Sequence, residues 1–206
     1  VSVRHLFVEM PDSNFKPRVA DQRVGYFSSK ITDLSSYKYV TAVDVINRWR
    51  LEKKDPDAEL SEPIKPIVYW VENSTPMEIR PFVVKGIEAW NEAFEKAGFK
   101  NAVVAKIQPD DAEWDAGDVE YNVVRWASTP AAPYSGYGPS IANPRTGEMI
   151  AADIVQEFGA IKSGYRLRKI WGYSEDNDPL EQWIISLTMH EVGHTLGLRH
   201  NFKGSW

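Results

Sequence analysis

The 206-residue chain carries 24 basic and 29 acidic side chains, a formal net charge of -5, with 43% hydrophobic and 12% aromatic residues. That composition excludes a disordered, collagen-like or coiled-coil chain and is enough for one buried core. The mild acidity offers no basic footprint for a nucleic-acid backbone, and no apolar run reaches the roughly 18 residues of a membrane span. The lack of cysteine removes disulfides, thiolate nucleophiles and sulfur-ligated metals together.

Alternation is weak through Val3, His5 and Phe7 and again from Val19 to Phe27, with breaks at Pro11, Pro17 and Gly25, which predicts short strands or an arm. Residues 33–50 carry the spacing of a short helix around Val43, Ile46 and Trp49. The polar, proline-punctuated stretch 51–66 has the composition of a linker or surface excursion, which sets residues 1–65 apart as an N-terminal extension. Residues 66–71 are a buried-strand candidate. Ile79, Val83, Ile87, Trp90, Phe94 and Ala97 then recur at intervals of three and four and predict a helix ended by Gly98. Thr75, Pro76 and Glu78 have the form of a capped start, with Pro81 competing for a start one turn later.

Residues 101–107 and 121–126 are β-branched strands, so strand, helix, strand and a further strand predict a mixed sheet with a crossover helix. Asn143 to Gly147 is a turn whose flanks, 140–142 and 148–155, predict an irregular hairpin at the sheet edge. Arg166, Arg168 and Lys169 form a local basic cluster, read as a solvated face. Asp178, Pro179 and Glu181 supply a cap, a first helical position and a capping-box glutamate for a last helix that Gly197 ends. Trp183, Leu187, His190, Glu191 and His194 fall along one side of it.

Three of the four histidines lie in His190-Glu191-Val192-Gly193-His194-Thr195-Leu196-Gly197-Leu198-Arg199-His200. On a helix, His190 and His194 stand one turn apart, about 6 Å along the axis, so both rings can reach one metal. Gly197 is expected to end the helix and turn His200 back to the same point, whereas continued helix would carry it about 9 Å past His194. Three imidazoles with a vacant fourth position describe a catalytic zinc site, since structural zinc sites fill all four places with protein groups. Glu191 is placed to act as general base and then acid in metal-assisted amide hydrolysis, with no serine or cysteine nucleophile. His5 is isolated and is read as structural or surface.

The segment from His190 to His200 resembles the extended zinc signature of the metzincin metalloproteases. Its continuation, Asn201-Phe202, is similar to a bacterial family of largely uncharacterised secreted zinc-dependent metalloproteases. So are Val24-Gly25-Tyr26-Phe27, the run from Ala93 to Phe99, and Tyr137-Gly138-Pro139-Ser140 through Asp153. The resemblance implies an α+β zincin-like fold, a twisted mixed sheet with an edge strand packed against a crossover helix and an active-site helix. It implies one catalytic zinc held by His190, His194 and His200, Glu191 as the catalytic acid/base, a peptide or protein substrate, and a location outside the cytoplasm.

By the same resemblance Ser140, Ile141 and Ala142 correspond to the edge strand that pairs with an extended peptide; a covered hairpin edge is the competing reading. Asp153 and Glu157 either hold calcium or face water, and water is the preferred reading. Metzincins carry a methionine turn beneath the metal after the third histidine, but Met149 and Met189 both precede His200. Residues 66–206 are therefore expected to be a catalytic domain cut short after the third ligand, with weak or no peptidase activity in 1–206 alone. The competing functions are a zinc-binding domain that does not cut, a gluzincin-like enzyme with a more distant glutamate ligand, and an aromatic-rich carbohydrate-binding or scaffold module.

Overall fold

The β-branched residues Thr41, Val43, Val45 and Ile46 form a strand where the sequence spacing suggested a helix. In the computed structural model, which describes residues 3, 5–12, 14–35, 37, 41–129, 134–157, 159, 170 and 180–201, β1 (Ser28–Asp33) and β2 (Thr41–Ile46) pair antiparallel. Ser28 stands opposite Ile46 and Asp33 opposite Thr41. β-Branched side chains lose rotamer freedom in a helix and pack well on a pleated surface, and this strand buries Val45 and Ile46 at its end. Ahead of it Val3, Leu6, Phe7, Val8 and Met10 are exposed, and among the described residues before Phe15 there is no strand, as expected of an arm. Phe15 is buried, with the Arg48 guanidinium 4.1 Å from its ring centroid.

The main sheet is built from β3 (Ile67–Val71), β4 (Val103–Ile107), β5 (Asn122–Ala127), β6 (Gly136–Tyr137), β7 (Ser140–Ala142) and β8 (Met149–Glu157). Its order is β4-β3-β5-β8-β6, with β7 also on β8. The pairs β3–β4, β3–β5 and β5–β8 are parallel, while β6 and β7 run antiparallel to β8. The expected hairpin is β7 with β8, irregular at Ile141/Ala142, and its short arm is at the sheet edge.

The crossover from β3 to β4 is helical, but it is two helices where one was expected. α1 (Arg80–Glu88) starts at Pro81's turn, with Pro76 left outside, and α2 (Asn91–Lys96) ends at Gly98, whose φ is 88°. The break between them follows from tertiary partners. Asn91 reads both backbone groups of Val103, donating from Nδ2 to its carbonyl at 2.8 Å and accepting its N–H at 3.0 Å, and Trp90 Nε1 donates to Met189 O at 2.9 Å. Residues 51–66 form a surface loop fastened to the end of α2, where Ser61 N donates to Gly98 O and Lys100 N to Ser61 O.

α3 (Leu180–Thr195) crosses α1 over one sheet face. Alternation in β3 puts Ile67, Tyr69 and Val71 into the core with Val83 and Ile87 of α1, Ile154 of β8, and Ile184 and Val192 of α3. At the crossing, a β-carbon on Gly86 would lie 2.5 Å from Thr188 Cβ and 2.8 Å from Ile185 O. Neither atom can swing away, so Gly86→Ala is expected to push the helices apart at a cost of about 1–3 kcal/mol. Thermal unfolding followed by circular dichroism reads this directly; an unchanged Tm would mean the helices yield freely.

The architecture is the expected mixed α/β one, a sheet with an antiparallel edge, crossover helices and a C-terminal helix carrying the histidines. Among the described residues no helix is long and apolar enough to cross a membrane. The cap expected at Asp178 and Pro179, the cluster Arg166, Arg168 and Lys169, and Phe202 lie outside the described residues.

Candidate metal centre

Helical periodicity puts His190 and His194 on the same face of α3, one turn apart, with ring centroids 4.6 Å apart. Their carrier is held from below. Tyr69 is fully buried in β3 and its hydroxyl is 2.7 Å from Thr195 Oγ1, while Gln156 Nε2 donates to Thr188 Oγ1 at 2.6 Å. Burial pushes the Tyr69 phenol far above its ordinary value, so it stays a neutral hydrogen-bonding group.

Gly197 then ends the helix with φ 101°, in the left-handed region, and Leu198 N donates to Gly193 O at 3.0 Å. A β-carbon there would also collide with Asn47 O. The turn brings His200 Nε2 to 3.1 Å from His190 Nε2 and 3.1 Å from His194 Nε2. One ligand atom from each ring lies within 4.8 Å of the others, and this is the one such cluster among the described residues.

These residues fit a zinc ion. Zinc with bonds of about 2.0–2.1 Å in tetrahedral geometry separates its ligand nitrogens by about 3.3 Å, close to the 3.1 Å seen here. The tautomer fits as well. His194 Nδ1 lies 2.8 Å from Leu198 O, and because a carbonyl can only accept, Nδ1 carries the hydrogen and Nε2 presents its lone pair to the cluster. Burial, and then the neighbouring charges of His194 and His200, lower the His190 pKa, which favours the neutral ligand form.

The three rings open into a cleft of about 750 Å³ whose walls include Phe27, Trp183, Leu187, Glu191 and Arg199 together with the segment 135–138. Glu191 is buried, and burial raises its carboxyl pKa, with the charge of His194 pulling the other way. Its carboxylate lies against β6. A β-carbon on Gly136 would fall 2.7 Å from Glu191 Oε1, and one on Gly138 2.7 Å from Glu191 O. At Gly138 the clash is with the helix backbone, so the chain can approach α3 this closely only because the position is glycine, while at Gly136 the clash is with the Glu191 side chain.

The residues on one side of α3 therefore share the cleft with His200. The expected edge residues do not line it. Ser140, Ile141 and Ala142 form β7, next along the chain from the stretch 135–138 that lines the cavity. Glu157 does not face water. It is buried and accepts from Thr129 N at 3.1 Å and Thr129 Oγ1 at 2.9 Å, which explains the carboxylate without calcium. The sequence singles out neither Phe27 nor Gly136 for the site, although Phe27 lies in a segment that carries the resemblance, because each meets the site through a contact between distant segments.

A family model described as Met-zincin matches residues 173–206, and one described as a domain of unknown function (DUF5117) matches residues 1–54. No curated protein matches the chain, and no solved structure matches it. The Met-zincin match and the histidine triad fit a metzincin-type zincin, and they point to a zinc metallopeptidase.

Proposed function

We propose that the chain carries the catalytic centre of a zinc-dependent endopeptidase of the metzincin type, with a peptide or protein substrate. The observation that supports this best is the convergence of His190, His194 and His200 beside the buried Glu191 in one open cleft. His190, His194 and His200 would hold the ion, which when bound supplies Lewis acidity to a water and to the carbonyl of the scissile peptide bond. Glu191 takes the proton of the attacking water on a carboxylate oxygen and then gives it to the departing amine nitrogen. Its raised pKa suits the return step, since a carboxyl that holds its proton more tightly is present as the acid for longer. Placement outside the cytoplasm, and kinship with the secreted bacterial family, belong to the same proposal.

The edge strand would hold the substrate. β6 and β7 each pair with β8 on one side, and among the described residues no strand pairs with their other side. An extended peptide can add there as a further strand, beginning along 135–138 and continuing toward Ser140, Ile141 and Ala142. The experiment that tests the function is metal analysis of freshly purified protein, followed by exposure to an unbiased peptide library with and without chelation. Weak cleavage by residues 1–206 that chelator abolishes and zinc restores, and stronger cleavage by a longer protein containing them, are expected; bound zinc without any cleavage in the longer protein would favour the non-cutting reading.

Gly136→Ala gives a finer check. Its β-carbon meets the end of a flexible side chain, so the fold can absorb it, but only by displacing the Glu191 carboxylate. A misplacement near 1 Å costs about 10²-fold in rate. The expected variant keeps its Tm and its zinc and loses hydrolysis by about that factor. Full activity would mean that Glu191 acts from another position.

A further inference from the structure

We infer that the N-terminal segment around Gly25–Phe27 and Asn47 is a positioning clamp for the third histidine, fixing the turn through which His200 reaches the metal. The inference rests on the zinc reading of the site and gives a task to part of the region that matches the domain of unknown function, residues 1–54.

A chain leaving a helix at a left-handed glycine is not directed by the helix for long. α3 itself supplies Leu198 N to Gly193 O at 3.0 Å. The next two residues must still be ordered, at a cost in backbone entropy. Two further bonds come from the N-terminal segment. Phe27 N donates to Gly197 O at 2.7 Å, and Arg199 N donates to Gly25 O at 2.8 Å, so that Tyr26 and Leu198 form an antiparallel bridge. The turn is held on both sides of Leu198, the residue whose carbonyl accepts from His194 Nδ1. One short ladder therefore sets the direction of His200 and the tautomer of His194 together.

The clamp is itself anchored. Asn47 N donates to Phe27 O at 2.8 Å, and Ser29 Oγ is 2.8 Å from Asn47 Oδ1. Arg48 exchanges backbone bonds with Gly147 O and Met149 N, both at 2.9 Å, and Trp49 Nε1 donates to Thr195 O at 2.8 Å. The Arg50 Nε is 2.7 Å from the buried Glu148 carboxylate. The Phe27 ring completes the arrangement, its centroid 5.9 Å from that of His194, on the cleft wall.

The test is zinc affinity by chelator competition. Phe27→Pro removes the N–H that bonds Gly197 O and is expected to weaken zinc by 10–100-fold, the usual effect of losing a group that orients a metal ligand. Phe27→Ala keeps that N–H and is expected to lose far less. Combining Phe27→Pro with His200→Ala separates positioning from general loosening: a clamp acting through the turn loses its larger part once His200 is gone, and the smaller further loss that remains is the part acting through the His194 tautomer. Wild-type affinity in Phe27→Pro, or the same fold-loss in the His200→Ala background, would overturn the inference.

Hydrogen exchange in the unmutated chain decides the matter if the proline variant does not fold. The Phe27 and Arg199 amides are expected to exchange as slowly as those of α3, and free exchange at either would refute the clamp. Failure of the unmutated chain to bind zinc would count against the metal reading, and the two amides would still report on the clamp.

Discussion

Glu191→Gln is expected to hold zinc as tightly as the unmutated chain and to lose peptide hydrolysis by about 10²–10⁴-fold, the range a positioned acid–base group supplies. The amide has nearly the shape of the carboxylate, so its contact with Gly136 and the close fit of α3 to β6 survive. What it lacks is the capacity to take a proton. The carboxylate is buried and raised in pKa, so the neutral amide also removes a charge that burial disfavours, and the variant should be at least as stable as its parent. Zinc content by elemental analysis, Tm and hydrolysis rate, measured together, distinguish the possible roles. Equal loss of zinc and activity would make Glu191 a ligand or a structural element; retained activity would remove it from the chemistry.

The site is more legible in the sequence than the fold around it, for a physical reason. His190, Glu191 and His194 are related by helical periodicity, and His200 by a glycine whose left-handed conformation is itself a sequence signal, so four positions can be placed from local rules. β2 misleads because Val43, Ile46 and Trp49 have helical spacing, while pairing with β1 rewards the β-branched residues as a strand. The break between α1 and α2 cannot be read at all, since Asn91 and Trp90 answer to Val103 and Met189. Glu157 misleads in the same way, because a carboxylate in a strand looks solvated until Thr129 is found bonded to it. The N-terminal contribution to the site is hidden most deeply: Trp49 and Thr195 are 146 positions apart in the chain.

His200→Ala separates the metzincin arrangement from one with a distant glutamate as third ligand. Zinc bound in small four-ligand sites is worth roughly 10–16 kcal/mol in all, so about 3 kcal/mol, or some 10²-fold in affinity, is expected to go with one imidazole. A gluzincin-like site would lose almost nothing. The geometry favours the large loss, because the His200 ring nitrogen is 3.1 Å from each of the other two and no acidic residue joins that cluster among the described residues. The ring is exposed, so its removal leaves no buried cavity. The loss should also exceed that from Phe27→Pro, since a ligand matters more than the bonds that orient it. Chelator competition on the two variants ranks them; a His200→Ala protein that keeps its zinc would replace this histidine with a ligand elsewhere and leave the turn after Gly197 without a part in the chemistry.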